Sequence, residues 1–360
     1  MGSTNPKKAL IAMSGGVDSS VAAFLTQQQG FTCAGATMKL ISNDDDNLLG
    51  REKSCCSLDD VEDARSVAQA LGMPFYVFDF TRDFQAQVID RFIAAYQNGA
   101  TPNPCIDCNR YLKFERLLQR ATQLGMDCIV TGHYARIEHD AGRWLLKKAV
   151  DDTKDQSYVL YAMTQAQLAR TRLPLGGMRK SEIRAIAEEQ GFVNANKRDS
   201  QDICFVPGGD YAAFIEQQTG KPGESGDFLD LQGNVLGRHR GMIRYTVGQR
   251  KGLGLSFPQP MYVREKDAAA NTVTLCKNEE LFSRALEAAD FNWIACEGLT
   301  SPTRVKAKAR YNQAAQWAVA EQTGPDTVHV AFDQPQRAIT KGQAVVLYDG
   351  ETVLGGGTIQ

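Results

Sequence analysis

Three cysteines lie among polar residues that suit thiol chemistry. Cys105 and Cys108 are separated by two residues in NPCIDCNR, and Cys204 follows a polar run in NANKRDSQDICFV. An isolated cysteine is most often a small core residue, whereas a pair at this spacing can bind metal, form a redox couple or belong to a catalytic centre. The spacing alone leaves these alternatives open.

A glycine turn in ALIAMSGGVDSS, residues 9 to 20, predicts a phosphate-binding loop between a strand and a helix. Gly15 and Gly16 allow a tight turn with inward N–H groups, and the helix N-terminus adds a partial positive charge. The loop lacks both the Lys-Ser/Thr end of a Walker loop and the G-x-G-x-x-G pattern of dinucleotide folds. The structural alternative is a plain turn in which Asp18 and Ser19 cap the helix.

The elements around these residues alternate between strand and helix. Strand patterns occur in KALIAM, FTCAGATMKL, PFYVFDF and DCIVTGH. Helical patterns occur in SSVAAFLTQQQG, SLDDVEDARSVAQALG, RDFQAQVIDRFIAAYQNG and YLKFERLLQRATQLG, and Ser57 with Asp60 has the spacing of a capping box. This alternation predicts an α/β protein with a Rossmann-like, doubly wound parallel sheet, which binds ligands at the carboxyl ends of its strands.

The remainder of the chain has a different texture. Glycine-rich turns separate short segments such as NTVTLC, DTVHVAF and QAVVLYDGETVLGGG. Such segments predict two small antiparallel β-barrel domains. We expect a catalytic domain at 1–210, a central barrel at 211–285 and a C-terminal barrel at 286–360.

The composition is that of an ordinary globular protein. The 360 residues are 43% hydrophobic and 23% charged, with a net charge of −2. No apolar run is long enough for a membrane span, and the N-terminal segment lacks a secretory pattern, so we expect a cytoplasmic protein without membrane contact. The charge balance gives no global sign of a nucleic-acid partner, which must be argued from local patches.

Two levels of resemblance emerge from these motifs. Ser-Gly-Gly-x-Asp-Ser after a first strand resembles the loop of the ATP-pyrophosphatase (PP-loop) superfamily. The segments MSGGVDSS, TPNPCIDCNRYLKF, TGHYAR, KDQSYVLY, KRDSQDICFV, RYTVGQRKGLGL and GQAVVLYDGETVLGGGTI resemble, in this order, the bacterial tRNA-specific 2-thiouridylases. The second resemblance covers nearly the whole chain and implies the same fold, a pyrophosphatase domain followed by two β-barrels.

The family resemblance implies an activity and its partners. ATP adenylates O2 of the wobble uridine in tRNAs for Lys, Glu and Gln, and sulfur then replaces that oxygen. It also implies that sulfur comes from relay proteins fed by a cysteine desulfurase. A pyrimidine oxygen leaves readily once it is esterified to AMP, and a persulfide is a good nucleophile at neutral pH.

The resemblance also implies roles for individual residues. Cys204 would carry the persulfide, and Cys108 would be the nucleophile, able to form a disulfide with Cys204 when sulfur leaves. The residues implied to bind ATP are Ala12, Met13, Ser14, Gly15, Gly16, Val17, Asp18, Ser19, Met38 and Gly132. Those implied to contact the target base are Asn103, Pro104 and Cys105. Those implied to contact tRNA are His133, Lys154, Asp155, Gln156, Tyr311, Asn312 and Gln343.

Metal chemistry enters at two places. Asp18 is expected to help hold Mg²⁺ or the loop itself, since carboxylate and phosphate oxygens suit this cation. Several members of the family carry Asp at the position of Cys105, so an acid or base role there is in doubt. Cys105, Cys108 and Cys204 would instead suit a [4Fe–4S] cluster, and the persulfide and cluster routes both stay open.

Basic residues in the β domains favour a polyanionic partner. Arg304, Lys306, Lys308 and Arg310 alternate in TRVKAKAR, so on a strand they would share one face. A second cluster comprises Arg238, Arg240, Arg244, Arg250 and Lys251. Tyr311 could stack on an unpaired base. The alternative is a solvated strand face.

Two other functions would explain parts of the sequence. A different ATP-pyrophosphatase enzyme would keep the loop at residues 14 to 19 without needing Cys204 or the basic strand. An RNA-binding scaffold would use the glycines as a turn and the cysteines for zinc, and it would not bind ATP.

Overall fold

The computed structural model describes residues 6–41, 58–197 and 203–360. The expected capping box lies outside these ranges, because Ser57 is not described. The same holds for Cys55, Cys56 and the segment 198–202 of KRDSQDICFV. Among the described residues, no helix is both long enough and apolar enough to cross a bilayer.

The first half of the chain contains most of the helices. In chain order its elements are β1 (Lys8–Ala12), α1 (Val17–Gln28), β2 (Thr32–Lys39), α2 (Leu58–Ala70), β3 (Phe75–Asp79), α3 (Thr81–Phe84), a π-helix (Gln85–Ile89), α4 (Asp90–Gln97), α5 (Pro104–Asp107), a second π-helix (Cys108–Arg116), α6 (Leu117–Gln123), β4 (Cys128–Val130), β5 (Ala135–Asp140), β6 (Arg143–Lys148), a 3₁₀ turn (Ser157–Leu160), α7 (Gln165–Ala169), β7 (Thr171–Arg172) and α8 (Lys180–Glu189).

The second half is built mainly of strands. Its elements are a 3₁₀ turn (Pro207–Gly209), α9 (Tyr211–Thr219), β8 (Gly226–Leu229), β9 (Val235–His239), a 3₁₀ turn (Met242–Arg244), β10 (Tyr262–Asp267), β11 (Thr272–Cys276), a 3₁₀ turn (Asn278–Leu281), β12 (Phe282–Trp293), β13 (Thr303–Lys308), β14 (Gln316–Gln322), β15 (Val328–Arg337), β16 (Ala344–Asp349) and β17 (Thr352–Ile359).

Contacts divide the chain into two compact units. The first takes in the described residues of Met1–Val88, Cys105–Pro207 and Glu351–Val353. The second takes in Ile89–Pro104, Gly208–Gly350 and Leu354–Gln360.

The first unit is organised around a parallel sheet with the strand order β3-β2-β1-β4-β7. Ala9, Leu10 and Ile11 of the central strand are fully buried, as expected for a strand covered on both faces. The α/β prediction is confirmed. The carboxyl ends of β1, β2 and β4 lie side by side, and the loop after β1 and the turn after β4 build the candidate site.

The second unit contains two β structures. Strands β10, β11, β8 and β9 form a four-stranded sheet around a core that includes Phe228, Val263 and Leu275. The six strands β12-β15-β14-β13-β16-β17 close into a barrel through the pairing of β12 with β17. Inward residues such as Val305, Ala307 and Val330 are buried, which is the alternation that a small barrel requires. An α/β domain followed by small β domains is therefore the fold, as predicted.

Candidate active site

The loop between β1 and α1 has the shape of a phosphate cradle. Gly16 is the N-cap residue of α1, and no side chain caps the helix there. The Ser19 hydroxyl donates to the Gly16 carbonyl at 2.9 Å and accepts from the Ser14 N–H at 3.2 Å, so it braces the loop. The structural alternative, a plain turn in which Asp18 and Ser19 cap the helix, is therefore wrong. The first N–H groups of α1 remain available to an anion.

Two glycines bring neighbouring segments against this loop. Gly15 has a φ of +72°, and a Cβ there would lie 2.3 Å from the Asp60 carbonyl oxygen. A Cβ on Gly132, after β4, would lie 2.8 Å from the Asp18 carbonyl carbon and 2.9 Å from the Ser19 nitrogen. Both positions therefore require glycine. The turn after β4 packs directly on the first turn of α1.

The Asp18 carboxylate is held by two partners. Lys180, at the start of α8, places its ammonium 2.7 Å and 2.9 Å from the two carboxylate oxygens. The Tyr134 hydroxyl donates to Oδ1 at 2.7 Å. The Asp18 and Lys180 side chains are 30% and 10% exposed. The Lys180 ammonium thus occupies the position from which Mg²⁺ would approach this carboxylate. Asp18 is therefore not arranged as a Mg²⁺ ligand here. Its carboxylate supports the loop instead.

A second polar network joins the phosphate loop to the segment that leads to Cys204. The Asn194 amide donates to the Gly15 carbonyl at 3.0 Å, and the Lys197 ammonium reaches the same oxygen at 3.3 Å. Lys197 also binds Asp60 and Asp63, each at 2.6 Å. Burial opposes the charged form of Lys197, but these hydrogen bonds outweigh it, so the pKa of Lys197 lies above its ordinary value. Asp60 is therefore an ion-pair partner of Lys197, and its expected capping box with Ser57 stays a prediction.

The other residues implied to bind ATP lie at neighbouring strand ends. Met38 is half-buried near the carboxyl end of β2. Met13 and Val17 are buried, and the Thr37 hydroxyl donates to the Met13 carbonyl at 2.7 Å. Ala12 ends β1, next to β2 in the sheet. These residues lie at the carboxyl edge of the sheet, and their contacts with ATP stay predictions.

The three cysteines occupy accessible positions in the first unit. Cys105 is exposed on α5, Cys108 is half-buried at the start of the second π-helix, and Cys204 is half-buried just after the undescribed segment 198–202. Phe205 is buried and packs edge-on against Phe84, with 5.6 Å between ring centroids, which anchors the chain beside Cys204.

Among the described residues, the structure contains neither the disulfide that Cys108 and Cys204 could form when sulfur leaves nor a cluster of metal ligands. Cys105, Cys108 and Cys204 make no disulfide bond within the part of the chain that the structure describes. In the same ranges, no three His, Cys, Asp or Glu side chains are grouped closely enough to hold a metal ion. Their arrangement here does not fit a [4Fe–4S] cluster, and the roles of the three thiols stay predictions.

His133 is buried beside the phosphate loop. The residue is 9% exposed, its Nδ1 lies 2.7 Å from the Thr131 hydroxyl, and its Nε2 lies 3.5 Å from the Lys113 ammonium. Burial, reinforced by the Lys113 charge, holds the pKa of His133 well below its ordinary value. The imidazole is therefore neutral at pH 7. Its expected contact with tRNA stays a prediction.

The 154–156 segment is tied to its surroundings. The Asp155 carboxylate accepts from the Ala149 N–H at 3.1 Å and from the Ser157 hydroxyl at 2.8 Å. The Gln156 side-chain oxygen accepts from the Tyr134 N–H at 3.0 Å. Lys154 is half-buried. Asp155 and Gln156 shape this loop, and their contacts with tRNA stay predictions.

Residues expected to meet the base and tRNA also lie in the second unit. Asn103 is half-buried and Pro104 is buried. The Gln343 amide donates to the Thr101 carbonyl at 2.7 Å and so supports the backbone just before them. Tyr311 lies beneath the Lys308 ammonium, 5.4 Å from its ring centroid, and Asn312 is exposed in the following turn.

The basic strand is less uniformly charged than its sequence predicts. Arg304, Lys306 and Lys308 share the outer face of β13, as expected, because the intervening residues are buried. Arg304 makes a bidentate ion pair with Asp333 of β15 at 2.5 Å. Arg310 lies beyond the strand and donates to the Ala338 carbonyl and the Thr340 hydroxyl, so the expectation of four cations on one face is wrong.

In the second basic cluster, acids from neighbouring elements reduce the charge. Arg238 pairs with Asp227 at 3.4 Å, and Arg244 pairs with Glu216 at 2.5 Å. The positive character that the sequence predicts for the β domains is therefore partly neutralised.

Several polar residues of the site had no role predicted from the sequence. Lys113, Tyr134 and Lys197 stand inside segments that carried the family resemblance but had no assigned role. Asn194 is the first residue of NANKRDSQDICFV and had no assigned role, and Lys180 begins a helix with no motif around it. Only the tertiary fold brings them to the phosphate loop.

Comparison with known proteins covers almost the whole chain. Residues 7–208 match a "tRNA methyl transferase HUP domain" family, residues 212–277 a "tRNA methyl transferase PRC-barrel domain" family, and residues 283–359 an "Aminomethyltransferase beta-barrel domain" family.

Curated relatives match at full length. The tRNA-specific 2-thiouridylase MnmA of Clostridioides difficile is 51% identical over 356 residues, with 98% of each chain covered. The proteins of the same name from Symbiobacterium thermophilum and Acetivibrio thermocellus are each 50% identical, over 98% of this chain and 92% and 99% of theirs. On these similarities, the chain belongs to the tRNA-specific 2-thiouridylase family.

Proposed function

We propose that the protein is an ATP-dependent tRNA-uridine 2-sulfurtransferase that converts the wobble uridine of tRNAs for Lys, Glu and Gln to 2-thiouridine. The supporting structural observation is the link between the phosphate loop and the sulfur-handling segment. Asn194 and Lys197 both bind the Gly15 carbonyl, and Lys197 stands seven residues before Cys204. Binding of a nucleotide to the loop would thus affect, through these hydrogen bonds, the segment that leads to Cys204.

The first step would be adenylation of the uridine. The phosphates of ATP would bind the N–H groups at the start of α1, with the nucleotide held by Ala12 to Ser19, Met38 and Gly132. O2 of the uridine attacks the α-phosphorus, the bond to the β-phosphate oxygen breaks, and pyrophosphate leaves. Because Lys180 engages the Asp18 carboxylate, this carboxylate would support the loop rather than hold Mg²⁺.

The second step would transfer sulfur. The terminal sulfur of a Cys204 persulfide attacks C2, and AMP leaves with the former O2. The Cys108 thiolate then attacks Sγ of Cys204 and breaks the sulfur–sulfur bond, which releases 2-thiouridine and leaves a Cys108–Cys204 disulfide. A thiol reductant returns two electrons to that disulfide, and a sulfur relay fed by a cysteine desulfurase reloads Cys204.

The tRNA would be recruited by both units. Asn103, Pro104 and Cys105 would meet the target base, with the tRNA contacts at His133, Lys154 to Gln156, Tyr311, Asn312 and Gln343. The proposed division is a catalytic domain at 1–210 and β domains at 211–285 and 286–360. A [4Fe–4S] cluster is not part of this route, since the three cysteines are not grouped as metal ligands here.

Nucleoside mass spectrometry tests the reaction. Unmodified glutamate tRNA is incubated anaerobically with Mg-ATP, a persulfide source and either the wild type or Cys204→Ala. Cys128→Ala is the matched control, because Cys128 is buried and burial raises the pKa of its thiol. We expect 2-thiouridine with the wild type and the control, and none with Cys204→Ala.

The same measurement separates the rival activities. The matching domain families are named for methyl transfer, which requires a methyl donor rather than ATP cleavage. A methylated nucleoside formed with such a donor, and no 2-thiouridine under any sulfur supply, would refute the proposal. Release of AMP and pyrophosphate without thiolation would support the adenylation site and refute the assignment of the tRNA uridine as the substrate.

A further inference from the structure

The Lys113 ammonium is set apart from the other lysines around the site. Lys113 lies on the π-helix Cys108–Arg116 and is half-buried. Its polar contact is with Nε2 of His133, at 3.5 Å. In the tautomer protonated at Nδ1, His133 donates to the Thr131 hydroxyl and presents a lone pair to Lys113. The imidazole therefore orients the ammonium without neutralising its charge.

The contrast with two neighbouring lysines is informative. Lys180 is paired with Asp18, and Lys197 is paired with Asp60 and Asp63. Within residues 6–41, 58–197 and 203–360, Lys113 makes no ion pair with an acidic side chain. A partly buried ammonium that lacks a counter-ion is costly unless an anion joins it. Of these three lysines, Lys113 is thus the one whose positive charge is not neutralised by an acidic side chain and can bind an anionic ligand.

The position of Lys113 indicates which anion this is. Its partner His133 directly follows Gly132, the residue packed on Asp18 and Ser19, and directly precedes Tyr134, which bonds to Asp18. The ammonium is therefore tethered to the turn that covers the start of α1. Its own helix begins at Cys108. The space between the phosphate loop and the cysteine helix is where a nucleotide phosphate and the target base would meet.

We propose that Lys113 is a catalytic cation that binds the α-phosphate of the nucleotide, an assignment that rests on the proposed function. The α-phosphate is an anion in ATP, in the adenylated uridine and in AMP, so one fixed ammonium can serve all three. When O2 attacks the α-phosphorus, charge grows on the non-bridging oxygens, and a donated N–H stabilises it without a proton transfer. His133 and Thr131 are positioning residues that aim the ammonium.

The helix geometry is consistent with this role. The N–H of Leu117 bonds to the carbonyl of Leu112, five residues earlier, which is the π-helical pattern. Lys113 stands five residues after Cys108, so both residues belong to this π-helical segment. π-helical segments are rare and occur frequently at functional sites.

Binding of AMP and adenosine tests the assignment directly, because the two ligands differ only in the α-phosphate. Dissociation constants are measured by calorimetry on the full-length wild type, Lys113→Gln, Lys113→Met and Lys113→Arg. Arg116→Gln is the matched control, since it removes one positive charge from the same helix at an exposed site paired with Asp83. Circular dichroism verifies the fold of each variant.

We expect the wild type to prefer AMP over adenosine by about tenfold or more, the size of one charge-assisted hydrogen bond. Both neutral variants should lose that preference, whereas Lys113→Arg and Arg116→Gln should keep most of it. An unchanged preference in a folded neutral variant, or no preference in the wild type, would overturn the inference. If the preference for AMP over adenosine depends on Lys113 but the thiolation assay yields no 2-thiouridine, the proposed function would be refuted and the contact between Lys113 and the α-phosphate would be supported.

Discussion

The ion pair between Asp18 and Lys180 is expected to couple the phosphate loop to α8 energetically. Exposed pairs contribute about 0–1 kcal/mol, and breaking a fully buried pair costs about 3–5 kcal/mol. With Lys180 10% and Asp18 30% exposed, the pair lies between these limits. Asp18→Asn should cost about 2–3 kcal/mol, because the more buried ammonium loses its counter-ion. Lys180→Met should cost about 1–2 kcal/mol, because the carboxylate reaches solvent and keeps the Tyr134 hydrogen bond.

A double-mutant cycle measures the coupling. Trp144 is in the first unit, and the other two tryptophans, Trp293 and Trp317, are in the second. In a background with W293F and W317F, urea unfolding followed by fluorescence therefore reports the first unit. The double variant should lose less than the sum of the single losses, by about 1–2 kcal/mol. Additivity to within about 0.5 kcal/mol would refute the interpretation that this pair braces the loop.

Two further predictions concern pH. Burial lowers the pKa of Lys266 to about 8, so Lys266→Met should stabilise the protein at pH 7 by about 1–3 kcal/mol. In the unfolded chain the lysine binds its proton more tightly, so the stability of the wild type rises between pH 8 and about pH 10.5. The stability advantage of Lys266→Met, measured by urea unfolding, should therefore shrink over this pH range. An advantage that does not change with pH would contradict this prediction. For His133, whose folded pKa is lowered, wild-type stability should fall as the pH drops below about 6.5, by at most about 1.4 kcal/mol per pH unit. His133→Gln should lack this slope in urea unfolding measured at pH 7, 6 and 5, and an equal slope in the variant would assign the effect to other groups.

Local pattern was sufficient to predict the architecture. The central strand KALIA is buried from Ala9 to Ile11, and four of the five strands of the parallel sheet, all except β4, are followed along the chain by a helix. A parallel sheet covered by helices is the arrangement that buries such strands. Similarly, the alternation in TRVKAK correctly assigned the inner and outer faces of β13. These predictions succeed because side-chain period and burial are local properties of the chain.

Local pattern could not predict how charges pair across the fold. Lys180 meets Asp18 across 162 positions, and Lys197 meets the Gly15 carbonyl across 182. Asp60 is bound by Lys197, a lysine 137 positions away. The Arg304 guanidinium was likewise predicted as an open cation, and Asp333 lies opposite it on another strand. Such partners depend on strand order and loop placement, which the spacing of residues along the chain does not encode.

The Asp18 carboxylate illustrates why this pairing matters for chemistry. An acid in the first turn of a helix is favourable for the helix dipole but repels a phosphate bound at the same N-terminus. Lys180 and Tyr134 neutralise the carboxylate and draw it aside, so the N–H groups of the loop can act on an anion. The Lys197 charge is likewise cancelled by two acids, whereas Lys113 makes no ion pair with an acidic side chain among the described residues. The Lys113 charge lies beside the turn after β4 and on the helix of Cys108, where the proposed transfer to uridine would occur.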